Sequence, residues 1–220
     1  MVTEPDWIRS ALSQARFAPY LAKADGDIDA AIRLYWWNID ISAAFYTPLH
    51  CLELALRNSL HTRLTDQFGR RDWWLVAQLR DPGLQMVTSV RCKRNGRGCA
   101  YTADDIVAEL SFGFWVSLTS KTYDRSLWVP FLHRAFPLYR GPRRRLHDDL
   151  QTMRLFRNRI MHHEPIHHRH LEADHKTILR LLGYMSPSMT DQLKSYDQVV
   201  RTLGQRPDRT TLLNRGATDE

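Results

Sequence analysis

The amino-acid sequence predicts an all-α protein, on three observations. Apolar residues return every three or four positions through most of the 220 residues. No stretch shows the strict alternation of a half-buried strand. Proline, glycine and aspartate stand between the periodic stretches, where helices are expected to start and stop. No internal repeat is visible.

Trp7, Ile8, Leu12, Ala15 and Phe17 open a first amphipathic stretch that closes near residues 20–24, ahead of Asp25-Gly26-Asp27. Asp27 is placed to cap a second segment. In it Ile28, Ala31, Ile32, Tyr35, Trp36 and Ile39 recur at helical spacing. Pro48 is expected to end that run and Leu49, Leu52, Ala55, Leu56, Leu60 and Leu64 to form the next helix. Trp73, Trp74 and Leu79 make a short piece closed by the turn signature Asp81-Pro82-Gly83. Residues 84–91 are predicted helical, leading into a basic, glycine-containing loop at 93–98. Thr102, with Asp105 three residues on, forms a capping-box pattern. It opens a helix predicted to run through Ile106, Leu110, Phe114 and Leu118. Residues 127–136 are apolar and aromatic. Pro142 opens a helix through Leu146, Leu150, Met153 and Ile160, and residues 171–185 and 189–203 supply two more. Residues 1–204 are expected to form one domain, with 205–220 a polar, disordered tail. The tryptophans at 36, 37, 73, 74, 115 and 128 fall among leucines and phenylalanines and are assigned to the core rather than to base stacking.

Composition narrows the function. Lys and Arg number 31 against 24 Asp and Glu, a net charge of +7, with a pI near 9.6 and mean hydropathy of −0.45. That excess favours a polyanionic partner, of which nucleic acid is the commonest. It concentrates in two stretches taken as RNA-contacting loops, one holding Lys93, Arg94 and Arg97, the other Arg143, Arg144 and Arg145. No apolar run approaches the roughly 18–20 residues of a membrane helix, and the N-terminus lacks a secretory pattern. Cys51, Cys92 and Cys99 build no disulfide framework. A cytoplasmic protein is expected.

Residues 157–163 read Arg-Asn-Arg-Ile-Met-His-His, followed by Glu164-Pro165-Ile166. Pro165 disfavours helix at the preceding residue, so the helix carrying Arg157 should end near His162 and His163. There the negative end of the helix dipole favours a cation. An obligate cation beside an imidazole suits a phosphodiester substrate. Arg157 would stabilise charge on the phosphoryl oxygens, and His162 would act as general acid or base. Asn158 would orient either group. The reaction envisaged is attack by the ribose 2′-hydroxyl on its own phosphate, leaving a 2′,3′-cyclic phosphate and a 5′-hydroxyl, with no metal or other cofactor. Positions five apart on a helix diverge by roughly 140°, so a phosphate needs a second helix or a second copy of the chain to enclose it. No zinc site is expected from the histidines at 162, 163, 167, 168, 170 and 175 with Cys92 and Cys99: Cys92-x6-Cys99 is too wide for a zinc knuckle and has no second cysteine pair, and the compact His167-His168-x-His170 sits in an apparent turn. Glu53 and Arg57, four apart, are expected to pair and to support the motif from behind.

The phrase Arg-Asn-Arg-Ile-Met-His-His-Glu-Pro-Ile resembles the signature of the Abi-like family, abortive-infection proteins of the HEPN superfamily. Residues 52–60, Leu-Glu-Leu-Ala-Leu-Arg-Asn-Ser-Leu, running on to Asp72-Trp73-Trp74, look like the same family. So do residues 104–115, Asp-Asp-Ile-Val-Ala-Glu-Leu-Ser-Phe-Gly-Phe-Trp, followed by Leu127-Trp128. The resemblance covers roughly residues 10–185. It implies a HEPN-type helical bundle with additional helices, an R-x4–6-H ribonuclease motif often completed by a homodimer, and a toxin or anti-phage role. Arg157, Asn158 and His162 match the motif, and His163 rivals His162 because six-position spacing is also allowed. Met161 stands where related sequences often carry a small residue. An antitoxin RNA or protein is implied by the resemblance alone. Some HEPN proteins bind RNA without cutting it, so a non-catalytic RNA-binding protein is the alternative.

Overall fold

The computed structural model describes residues 5–96 and 100–207. Arg97, Cys99 and residues 208–220 of the expected tail lie outside them. The protein is all-α, with no strand among the described residues. In chain order the α-helices are α1 (Gln14–Lys23), α2 (Ile28–Phe68), α3 (Asp81–Gly96), α4 (Ala103–Glu109), α5 (Phe112–Ser117), α6 (Arg143–Met161), α7 (Leu171–Met185), α8 (Pro187–Leu193) and α9 (Val199–Gly204). Short π and 3-10 turns fill residues 8–12, 73–75, 121–128 and 132–135.

Local chemistry explains most boundaries. Asp27 Oδ1 accepts the Ala30 N–H at 2.9 Å, the cap expected of it. Thr102 and Asp105 complete the capping box at the start of α4. Several expectations change, among them the helix expected over 189–203, which is two, α8 and α9. Pro48 does not end its helix, and α2 runs through it for 41 residues. Buried Phe45, Leu49 and Leu52 flank the proline. Burying such side chains stabilises by about 1.5–3 kcal/mol each, against a cost of about 3 kcal/mol for an interior proline. Asp81-Pro82-Gly83 forms the first turn of α3 rather than a closing turn, a place where a proline's missing N–H costs nothing. α3 also continues to Gly96, so residues 93–96 are helical, not looped. The single helix expected over 103–118 is two, because the Ser111 hydroxyl accepts the Phe114 N–H and starts a fresh helix.

The chain divides into two compact units. The first takes in Met1–Thr47, Arg159–His175 and Tyr196–Glu220; the second takes in Pro48–Asn158 and Lys176–Ser195. Within the first, Phe17, Ile41, Phe45, Ile166, Leu171 and Val199 are buried. The Trp37 indole donates to the Thr202 carbonyl at 2.9 Å, tying α9 to α2. Arg206 lies over the Trp37 ring and donates to the His167 carbonyl. Within the second, Trp73 packs against Phe114 and Trp115 at centroid distances of 6.4 and 6.2 Å. Leu52, Leu56, Leu60, Leu146, Leu150 and Phe156 are buried there too. A smaller cluster joins Ala55 to Leu182 and Leu193.

Of the six tryptophans assigned to the core, those at 37, 73, 74, 115 and 128 are buried, while Trp36 is 53% exposed. The first half of α2 buries Ala30, Leu34, Trp37, Ile41 and Phe45, spaced four, three, four and four apart. At about 100° of turn per residue, that stripe lies nearly opposite the face the sequence marked with Tyr35, Trp36 and Ile39.

Candidate functional site

α6 carries Arg157 and Asn158 in its last two turns, and its helical backbone ends at Met161. His162 and His163 occupy the turn that follows. Two hydrogen bonds close this end: Glu164 N–H to the Arg159 carbonyl at 2.9 Å and His163 N–H to the Ile160 carbonyl at 3.0 Å. That is the Schellman arrangement, which needs a left-handed residue where His163 stands. His163 has φ 56°. Arg16 Nη1 donates to the His163 carbonyl at 3.2 Å, bringing a cation to the negative end of the helix. Arg159 and Glu164 face each other as an ion pair at 3.4 Å. Past Pro165 the chain turns inward. Buried Asn38 on α2 accepts the Ile166 and His167 N–H groups on its Oδ1 at 2.8 and 3.1 Å, satisfying two donors that burial would otherwise leave unpaired.

His162 and His163 stand on the wall of a cleft of about 1020 Å³, all of whose lining residues belong to the first unit. Arg16, Tyr20, Tyr35 and Tyr46 line it as well. Burial, with the Tyr35 phenol nearby, pushes the Tyr20 hydroxyl up to about 12, so it remains a neutral donor at physiological pH. His167 lies against the Tyr20 ring with centroids 5.1 Å apart.

The second unit holds the rest of the motif. Arg157 Nε lies 3.4 Å from Glu53 Oε2, with both side chains partly exposed. Asn158 beside it is half-buried. Glu53 therefore meets the motif arginine directly, whereas Arg57 Nε donates to Asn58 Oδ1 at 3.2 Å. The expected RNA-contacting cations that the structure describes lie on helices rather than loops, Lys93 and Arg94 at the end of α3 and Arg143, Arg144 and Arg145 at the start of α6, and they differ among themselves. Arg143 is held by Asp124 at 2.7 Å and by the Thr119 carbonyl at 2.6 Å. Arg94 and Lys93 pair with Glu109 at 2.5 and 3.3 Å. Arg144 and Arg145 are exposed, Arg144 with Asp148 at 3.6 Å.

Sequence reasoning missed Arg16, Asn38 and Tyr46. The signal for Tyr46 was present, since Tyr35, Ile39, Ser42 and Tyr46 follow one another at helical spacing. Nothing local marks Asn38, whose partners lie 128 and 129 residues away. Among the described residues no three His, Cys, Asp or Glu side chains gather as a metal site requires. No helix among them is long and apolar enough to cross a membrane. The chain has no significant match among protein-family models, curated proteins or solved structures.

Proposed function

We propose that the protein is a metal-independent HEPN-type endoribonuclease, acting as a toxin or in anti-phage abortive infection. The observation that carries this reading is the end of α6. Arg157 and Asn158 lie in its last turns, and His162 follows its last helical residue. Together they spell the motif that the sequence resembles. In the proposed reaction the 2′-oxygen of a ribose bonds to the adjacent phosphorus and the bond to the 5′-oxygen breaks. A base takes the 2′-hydroxyl proton and an acid returns one to the leaving oxygen. His162 fills one of these roles, and Arg157 stabilises the phosphoryl oxygens as charge builds on them. Glu53 holds Arg157 until phosphate displaces it. RNA is the substrate, a homodimer supplies a second motif, and an antitoxin RNA or protein keeps the enzyme quiet in the cytoplasm. A binding-only role is favoured by one observation, the carboxylate already seated beside Arg157.

Cleavage of a fluorescent RNA pool in EDTA tests the proposal. Wild type should cut and leave 2′,3′-cyclic phosphate ends. Arg157→Ala and His162→Ala should each lose at least about a hundredfold in rate with an unchanged helical circular-dichroism spectrum. Loss of activity on chelation would refute the metal-free mechanism. Full activity in His162→Ala with none in His163→Ala would transfer the role to His163.

A further inference from the structure

The first unit leaves a file of aromatic rings open to solvent. Trp36 and Tyr46, ten residues apart on α2, are 53% and 55% exposed. Trp7, itself 37% exposed, lies 6.3 Å from Trp36 between ring centroids. Trp36 meets Tyr35 edge-on at 5.4 Å, and Tyr35 meets Tyr20 edge-on at the same distance. The file thus leads from the surface tryptophans to rings that line the cleft, where Tyr46, His162 and His163 stand as well. Exposed apolar surface of this kind marks a binding site more often than chance.

We infer that the cleft and its aromatic margin form a stacking site for the unpaired bases of single-stranded RNA, an inference that deepens the nuclease reading and rests on it. The chemistry favours bases over an aliphatic partner. The margin is built from indole and phenol rings, whose faces stack on any base. Arg16 lines the cleft and Arg33 is exposed on the same helix as Trp36, cations where the backbone of a polyanion would run. The cleft's carboxylate, Glu164, is neutralised by Arg159. At about 1020 Å³ the cleft reaches the top of the range of about 300–1,000 Å³ usual for ligand sites, with room for more than one base. A duplex keeps its bases stacked on each other and offers these rings nothing. Trp36 and Tyr46 therefore select unpaired nucleotides and hold them beside the motif histidines.

Fluorescence anisotropy tests this with a labelled mixed-sequence 12-nucleotide RNA, single-stranded or annealed, at low salt. The parent is the Arg157→Ala protein, which removes cleavage whichever histidine serves and leaves the cleft's lining unchanged. Trp36→Ala and Tyr46→Ala should each weaken single-strand binding by about tenfold, and Trp36→Phe and Tyr46→Phe should restore most of it. Val129→Ala, another exposed position, should leave binding unchanged. Duplex RNA should bind more weakly and respond to none of these variants. Equal affinity of parent and alanine variants overturns the stacking site, even where wild type still cuts RNA. Conversely, aromatic-dependent binding without any cleavage by wild type retains the site and removes the nuclease. Absence of binding by the parent overturns the site. So does a fall in sedimentation mass on Tyr46→Ala with RNA affinity intact, which would make this face a protein interface.

Discussion

Among the described residues neither ring nitrogen of His167 finds a hydrogen-bond partner, although the side chain is buried. Its backbone N–H is held by Asn38 and its carbonyl by Arg206, so the chain has fixed the residue without serving its ring. Burial, joined by the nearby charges of His168, Arg206 and Lys23, pushes the imidazole down to about 4. In the unfolded chain it would titrate near 6.5. Between those values the unfolded state binds the extra proton, so stability falls as pH drops from about 6.5 toward 4. The loss is about 3 kcal/mol at its fullest, from about 1.4 kcal/mol for each pH unit. Thermal melts of wild type and His167→Phe across that range should show the acid-side decline in Tm shrinking in the variant. An unchanged decline would place the acid sensitivity in other groups.

At the scale of the element, the ends of the helices carry most of the information. α6 closes on His163 in the left-handed region, which disfavours any residue with a Cβ by roughly 1 kcal/mol. Glycine removes that cost, and the exposed His163 side chain brings no packing to lose. His163→Gly should therefore raise the unfolding free energy by up to about 1 kcal/mol, measured by urea titration. If His162 is the catalytic histidine, His163→Gly should also keep its cleavage rate. A more stable but inactive variant would instead assign chemistry to His163. The same end is tied by Arg16, so α1 and the motif turn are braced by one guanidinium–carbonyl contact. Elsewhere the boundary signals act as their chemistry dictates: Asp27, Thr102 and Ser111 each start the helix they cap.

At the scale of the whole molecule, net charge says less than where each cation is spent. Arg143 is held, partly buried, by Asp124 and the Thr119 carbonyl, and Arg94 by Glu109. Arg144 and Arg145 remain exposed. Converting both exposed arginines to alanine should lower the slope of log affinity against log salt by about 1.4, at about 0.7 per phosphate contact on a single strand. Arg143→Ala should act differently, lowering Tm through its lost ion pair with little change in that slope. A large change in slope from Arg143→Ala would assign it to RNA after all.

The all-α class, the course of α6 and α7, the capping box at Thr102 and the helix end at the motif can all be read from the amino-acid sequence. Each follows from contacts within a few residues: apolar spacing, a side chain that satisfies its own helix terminus, a proline that cannot continue one. The passage of α2 through Pro48 is set by packing instead, since burial on both sides outweighs a local penalty. Packing likewise sets which face of α2 is buried. Tyr35, Trp36 and Ile39 share helical spacing with one another, but so do Leu34, Trp37 and Ile41, and a helix with apolar residues nearly all round does not announce its core side. The cleft was illegible for the same reason. Arg16, Tyr46 and His162 come from three distant stretches, and Asn38 reaches its partners across more than a hundred residues. Such contacts depend on how helices pack, which apolar spacing constrains only to a face.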